Sequence, residues 1–200
     1  MQFSTTVQRL ARGFALAGIV ASASAFAQAP ATPAASGKGT ADRYTATAAN
    51  VGRVSGETIT VDLIRWSTDE ERDAAAKALA SDDGLLETLK GAPNLGYIWR
   101  SGSGFGSFVR YAHRFSAADG QHVVLVTDSD LNSWKQITPG TEPSFTLIEV
   151  VMPASGTGTG KMSLSGKVTS DAANKTLRLE DYASAQVSLR SVEHHPGSAN

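Results

Sequence analysis

Ser107-Phe-Val-Arg-Tyr-Ala-His-Arg-Phe-Ser-Ala-Ala-Asp-Gly-Gln-His-Val-Val-Leu-Val-Thr127 is the stretch on which the fold turns. Residues 107–115 alternate apolar and polar side chains with a period of two, and His122–Thr127 is built from β-branched residues. Ala118-Asp119-Gly120 between them is a short turn, so the two strands must run antiparallel. Val123, Val124, Leu125 and Val126 are apolar on both parities. That strand is therefore central and covered on both faces, by helices or by a second sheet.

The same period recurs in Tyr44–Asn50, Thr58–Trp66, Leu95–Arg100, Phe145–Met152, Lys161–Thr169, Thr176–Glu180 and Val187–Val192, each bounded by Gly, Asp, Asn or Pro. In the last three strands Met162, Leu164 and Val168 face one way and Lys161, Ser163, Ser165 and Lys167 the other, which reads as a meander with one wet face. One interval is helical instead. Ser67-Thr68-Asp69-Glu70 has the spacing of a capping box with acids in the first turn, and predicts a helix from Thr68 to about Ala80. Asp82-Asp83-Gly84 restarts the chain into a second helix carrying Leu85, Leu86 and Leu89, stopped by Gly91 and Pro93. The class is α+β: a mainly antiparallel β-sheet, folded as a sandwich or partly open barrel, with an inserted helical hairpin.

The ends of the chain read differently. Arg9 and Arg12, the apolar run Phe14–Val20 and the small residues up to Ala25-Phe26-Ala27 form a signal peptide over residues 1–27, cut before Gln28. The apolar run is too short to span a bilayer, so no membrane span is expected in the mature protein. Residues 28–42 are an Ala/Pro-rich linker too poor in large apolar groups to order themselves. Residues 43–193 form a single β-rich domain, and 194–200, with His194-His195 ahead of Pro196, a solvated tail. This organisation implies a periplasmic or secreted protein.

Without residues 1–27 the chain carries 16 basic and 19 acidic residues, a net charge of −3. Nucleic acid and anionic membrane surfaces select clustered positive charge, so neither is expected as a partner. Cysteine is absent, which excludes disulfides, thiolate metal sites and a cysteine nucleophile. No Gly-x-Ser-x-Gly elbow and no His-Glu-x-x-His occurs. Gly156-Thr-Gly-Thr-Gly-Lys161 imitates a phosphate loop, but Met162 stands where a Ser/Thr is needed and a strand follows instead of a helix, so it reads as an inter-strand loop. Gly102-Ser-Gly-Phe-Gly106, between Arg100 and Arg110, reads as a hairpin tip, with an anion nest as the alternative. Asp128-Ser129-Asp130 reads as a turn, with a cation site as the alternative. No metal site or cofactor is expected.

Parity supplies one candidate site. Ile59, Val61 and Leu63 share a strand face with Arg65, while Phe145, Leu147 and Val151 share one with Glu149. If both faces line one core, Arg65 and Glu149 are carried inward and must pair. Such a pair reads as fixing register between strands, with a polar site at the mouth of a β-enclosed pocket, Tyr111 and His113 nearby, as the alternative. His113, on one face with Val109, Tyr111 and Phe115, reads as a core histidine. Trp66, Tyr97, Trp99, Tyr111 and Trp134 offer aromatic contact area.

Arg65-Trp66-Ser67-Thr68-Asp69 with Glu71-Arg72, Gly96-Tyr97-Ile98, Tyr111-Ala112, Thr127-Asp128, Trp134, Phe145-Thr-Leu-Ile-Glu149 and Gly160-Lys-Met-Ser163, taken together, resemble a family of exported bacterial proteins with no established activity. The similarity covers nearly all of residues 44–192, departing at Lys135, where the family pattern has a glutamate. It implies an envelope location and a single domain, and no mechanism. The expected function is a non-catalytic periplasmic or secreted module binding a small molecule or an envelope component. The alternatives are an envelope hydrolase with Glu149 or Asp128 as general base, and a structural or interaction protein.

Overall fold

The computed structural model describes residues 42–49, 56–79, 84–102, 106–129, 131, 145–163, 168–180, 182 and 187–197. The signal peptide, the linker up to residue 41, Asp130, Trp134 and Lys135 lie outside the described residues. In chain order the elements are β1 (Asp42–Ala49), β2 (Glu57–Leu63), α1 (Asp69–Ala78), α2 (Gly84–Gly91), β3 (Gly96–Arg100), β4 (Ser107–Ala117), β5 (Gly120–Thr127), β6 (Leu147–Met152), β7 (Gly158–Ser163), β8 (Val168–Asp171), β9 (Thr176–Leu179) and β10 (Val187–Pro196).

Eight of the strands close a barrel in the order β1-β10-β7-β6-β5-β4-β3-β2, with every neighbouring pair antiparallel. The mainly antiparallel sheet with its helical hairpin is thus as expected, and it is a barrel that closes fully. Eight strands leave an interior that side chains can fill, here with residues such as Ala48, Ile59, Leu63, Ile98, Leu125 and Met162. Gly158 and Gly160 of β7 leave room for side chains of the adjacent β6: a Cβ at Gly158 would stand 2.4 Å from the Met152 sulfur, and one at Gly160 would meet the Val150 side chain at 3.0 Å. The stretch that imitates a phosphate loop is therefore mostly barrel strand, and only Gly156, at φ +97°, serves the turn before it.

Tyr111, Val124, Val126 and Leu147 point out of the barrel on β4, β5 and β6, under a second cover. Ala75, Leu85 and Leu89 of the helices pack there, together with Leu177 and Leu179 of β9. This explains the double apolarity of β5: Val123 and Leu125 fill the barrel, and Val124 and Val126 meet the cover. The expected terminal meander does not form. Residues 161–163 belong to β7 and 168–169 to β8, while Leu164, Ser165 and Lys167 lie outside the described residues; β8 and β9 make a separate hairpin, and β10 returns to the barrel between β7 and β1.

Three local features differ from the sequence expectation. The capping box sits one residue later, on Thr68, whose hydroxyl accepts the Glu71 N–H at 3.3 Å while the Glu71 carboxylate accepts the Thr68 N–H at 2.9 Å. Ser67 is engaged elsewhere: its N–H donates to the Ala112 carbonyl at 2.8 Å and its hydroxyl accepts the Ala112 N–H at 3.0 Å, tying the β2–α1 connection to β4. Two β-bulges then reset parity. In β4 the register slips between Val109 and Tyr111, so Val109 points inward and Tyr111 outward. In β10 it slips between Leu189 and Val192, with Ser191 at φ 49°, so that both of those residues face inward. Each bulge inserts one residue and turns the face that follows.

Candidate functional site

Glu149 and Arg65 do not meet. Ile59, Val61 and Leu63 line the barrel interior, whereas Leu147 belongs to the outer cover, and Glu149 shares its parity. The two apolar faces belong to opposite sides of one wall. In addition β2 ends at Leu63, so its alternation does not reach Arg65. Arg65 instead grips Glu71 through both terminal nitrogens, at 2.8 and 2.7 Å, and donates to the Trp66 carbonyl at 3.0 Å. The hydrogen bonds from Arg65 hold the Glu71 carboxyl below the usual carboxylate range.

The other three expected residues share one task. Glu149, 1% exposed, accepts from Arg178 at 3.0 Å and from the Leu179 N–H at 3.5 Å. The Tyr111 hydroxyl lies 3.1 Å from the Thr176 hydroxyl and accepts the Leu177 N–H at 3.4 Å. Burial pushes its pKa up. His113 donates from Nε2 to the Asn174 carbonyl at 3.3 Å; burial, helped by the charge of Arg72, pushes its pKa down to about 4. All three fasten the β8–β9 hairpin to the barrel wall. His113 and Glu149 flank Val124 across β5, two strand spacings or about 10 Å apart. They do not converge on a reacting atom. Glu149 is buried beneath the hairpin and ion-paired with Arg178. Asp128 is likewise held, by Arg110 Nε at 2.7 Å, and Arg110 also donates to the Ala92 carbonyl. Arg100 is engaged by Glu57 at 3.1 Å, so neither arginine beside the glycine cluster is given to an anion nest.

A different cluster forms at the mouth of the barrel where β1 begins and β10 ends. Asp42, buried, accepts His194 Nε2–H at 2.5 Å on one oxygen and the Trp66 indole N–H at 2.9 Å on the other. The His194 ring stacks on Tyr44 with centroids 4.7 Å apart and planes 18° from parallel. Arg114 lies over the Trp66 ring, 4.8 Å from its centroid, and 3.6 Å from Asp42, too far for a hydrogen bond. Its side chain is 43% exposed and that of His194 26%. The Tyr44 hydroxyl is buried and has no hydrogen-bond partner among the described residues. Burial first, and then the charge of Asp42, raises its pKa well above that of a free tyrosine.

Both bulges serve this mouth. Without the extra residue in β4, Arg114 would share the outward parity of Phe108; without the one in β10, His194 would share that of Arg190. The sequence reading missed the cluster because Asp42 was assigned to the linker and His194 to the tail. The structure places Asp42 opposite Pro196 in the β1–β10 ladder and His194 opposite Tyr44. The signal that was present is the alternation of β1, since Tyr44, Ala46 and Ala48 extend backwards to Asp42 on the inward face.

On the outer wall Tyr97 stacks on Trp99 at 5.5 Å and lies 5.6 Å from Phe108, which is 41% exposed. Among the described residues, no group of three or more His, Asp or Glu is placed to hold a metal ion. No family model, no curated protein and no solved structure matches the chain.

Proposed function

We propose that this protein is a non-catalytic binding module working outside the cytoplasm, and that it takes its small-molecule ligand at the β1–β10 mouth of the barrel. The observation that carries the reading is the convergence of Asp42, Tyr44, Trp66, Arg114 and His194 there, two of them aimed inward by β-bulges. A wall built only for stability needs neither an exposed arginine stacked on an indole nor a buried hydroxyl without a partner, which costs about 1–3 kcal/mol.

The leader-like residues 1–27 support the export part of this reading. The outer wall supports a module bathed in water: Arg43, Thr45, Thr47, Thr58, Thr60 and Asp62 point away from an apolar interior, the reverse of a lipid-facing barrel. Among the described residues no helix is long and apolar enough to cross a membrane.

Native mass spectrometry of the protein purified from its own envelope tests the proposal. The expected result is a bound small molecule that is lost from the Arg114→Ala variant. A wild-type protein carrying nothing, or an adduct retained unchanged by the variant, overturns it.

A further inference from the structure

The hydrogen-bonding needs of the mouth are one-sided. The two Asp42 oxygens are engaged by the His194 and Trp66 N–H groups. Two donors remain: the Arg114 guanidinium, which makes no hydrogen bond among the described residues and has its nearest carboxylate at 3.6 Å, and the buried Tyr44 hydroxyl. A ligand that completes this site must bring acceptors, and its charge must be negative to match an arginine whose own counter-ion is shared with two other donors. A guanidinium offers paired N–H groups in a plane, which suits a carboxylate. A doubly charged phosphate would face the buried Asp42 carboxylate with a single cation to offset it, so one charge fits the site better than two. The surroundings favour an apolar remainder: the Trp66 ring packs against the barrel core, to which the Tyr44 ring belongs.

We propose that the mouth binds a small, mostly apolar carboxylate, with Arg114 as its ionic anchor and the Tyr44 hydroxyl as its second donor. This deepens the binding-module reading and rests on it. The Arg114 side chain meets the ligand first because it reaches solvent, and the tyrosine completes the site from within. Asp42 and His194 act as positioning residues: the carboxylate holds the imidazole, and the imidazole holds the Tyr44 ring by stacking.

The test is a nuclear magnetic resonance titration of the full chain, following the Trp66 indole and His194 imidazole signals, with benzoate, its neutral isostere benzamide, and inorganic phosphate as probes. Benzoate is expected to shift both signals saturably, with benzamide at least tenfold weaker. Arg114→Gln is expected to weaken benzoate at least tenfold, and Tyr44→Phe several-fold. Arg114→Lys, which keeps the charge but loses the planar fork, serves as the second variant and is expected to be weakened too, with its fold checked by unchanged Val123–Val126 amide signals. Benzamide binding as well as benzoate, phosphate displacing benzoate, or Arg114→Gln binding undiminished each overturns the carboxylate assignment. If no probe shifts the mouth while the natural adduct is still lost from Arg114→Ala, the ligand class fails and the binding reading stands. If that adduct is also missing, both fall.

Discussion

Asp42 and His194 stand 152 positions apart in the chain and 2.5 Å apart in the structure. They belong to β1 and β10, the first and last strands, whose pairing closes the barrel. The contact is therefore both a seam and the floor of the candidate site. Replacing Asp42 with alanine leaves the Trp66 indole N–H and the His194 Nε2–H without their acceptor in a buried place. The expected cost is about 3 kcal/mol, read as a shift of the urea midpoint at unchanged slope. A loss under about 1 kcal/mol would show that the seam does not depend on this carboxylate.

His113 makes stability depend on pH. Its pKa is about 4 in the folded protein because burial disfavours the charged ring, against about 6.5 when unfolded. Below pH 6.5 the unfolded chain takes up a proton that the folded chain refuses, so stability falls from pH 6.5 to about 4 and the contribution is flat below that. The full effect is up to roughly 3 kcal/mol by linkage. His113→Phe keeps an aromatic ring beside Phe115 and is expected to flatten the profile in that window. Urea titrations of both proteins at pH 7.5, 6, 5 and 4.5 check this, and parallel profiles would rule the histidine out as the cause.

Glu149 holds the β8–β9 hairpin rather than a substrate. Glu149→Ala leaves the Leu179 N–H without its acceptor and frees Arg178, which is 40% exposed and regains water. Solvent access to the arginine limits the cost to about 2 kcal/mol. Amides of residues 168–179 are then expected to exchange roughly 30-fold faster by local opening, while those of Val123–Val126 change little. Equal acceleration in both places would mean that the hairpin is not an independent unit.

How much of this was legible in the sequence follows from which rule each residue obeys. Period-two alternation located most of the strands, and the double apolarity of Val123–Val126 correctly required cover on both sides. Alternation cannot say which side of a wall an apolar face belongs to once both sides are covered, and for that reason Arg65 and Glu149 were paired across it. Nor can it register a bulge: Arg110 and Ser191 each shift the parity downstream, and nothing in their side chains marks the slip. Asp42 and His194 escaped because polar residues at the ends of a periodic run look like linker and tail. Their partners lie at the far end of the chain, and only closure of the barrel brings them together.

The start of α1 separates two neighbouring hydroxyls. Thr68→Ala removes the helix cap and is expected to cost about 0.5–2 kcal/mol, with fraying of Asp69–Arg72. Ser67→Ala keeps the cap but strips the Ala112 N–H of its buried acceptor, at a cost of about 1–3 kcal/mol. The amide of Ala112 then loses protection, and α1 does not fray. Hydrogen exchange resolves the two patterns, and exchanged patterns would return the cap to Ser67.

Ser191 keeps the bulge that aims His194, at φ 49°, a conformation that disfavours side chains by about 1–2 kcal/mol. Ser191→Gly relieves that strain but adds freedom to the unfolded chain, so a gain of about 0.5–1 kcal/mol is expected. Ser191→Val, branched at Cβ, fits the conformation worse and is expected to lose more than about 1 kcal/mol. The glycine variant should keep the ring-current shift that Tyr44 imposes on the His194 imidazole, because the extra residue remains. The valine variant should weaken it, because the strand escapes the strain by giving up the bulge and turning His194 toward the outer wall. A valine variant that is destabilised yet keeps the His194 shift would place the strain at Ser191 without linking the bulge to the aim of the histidine.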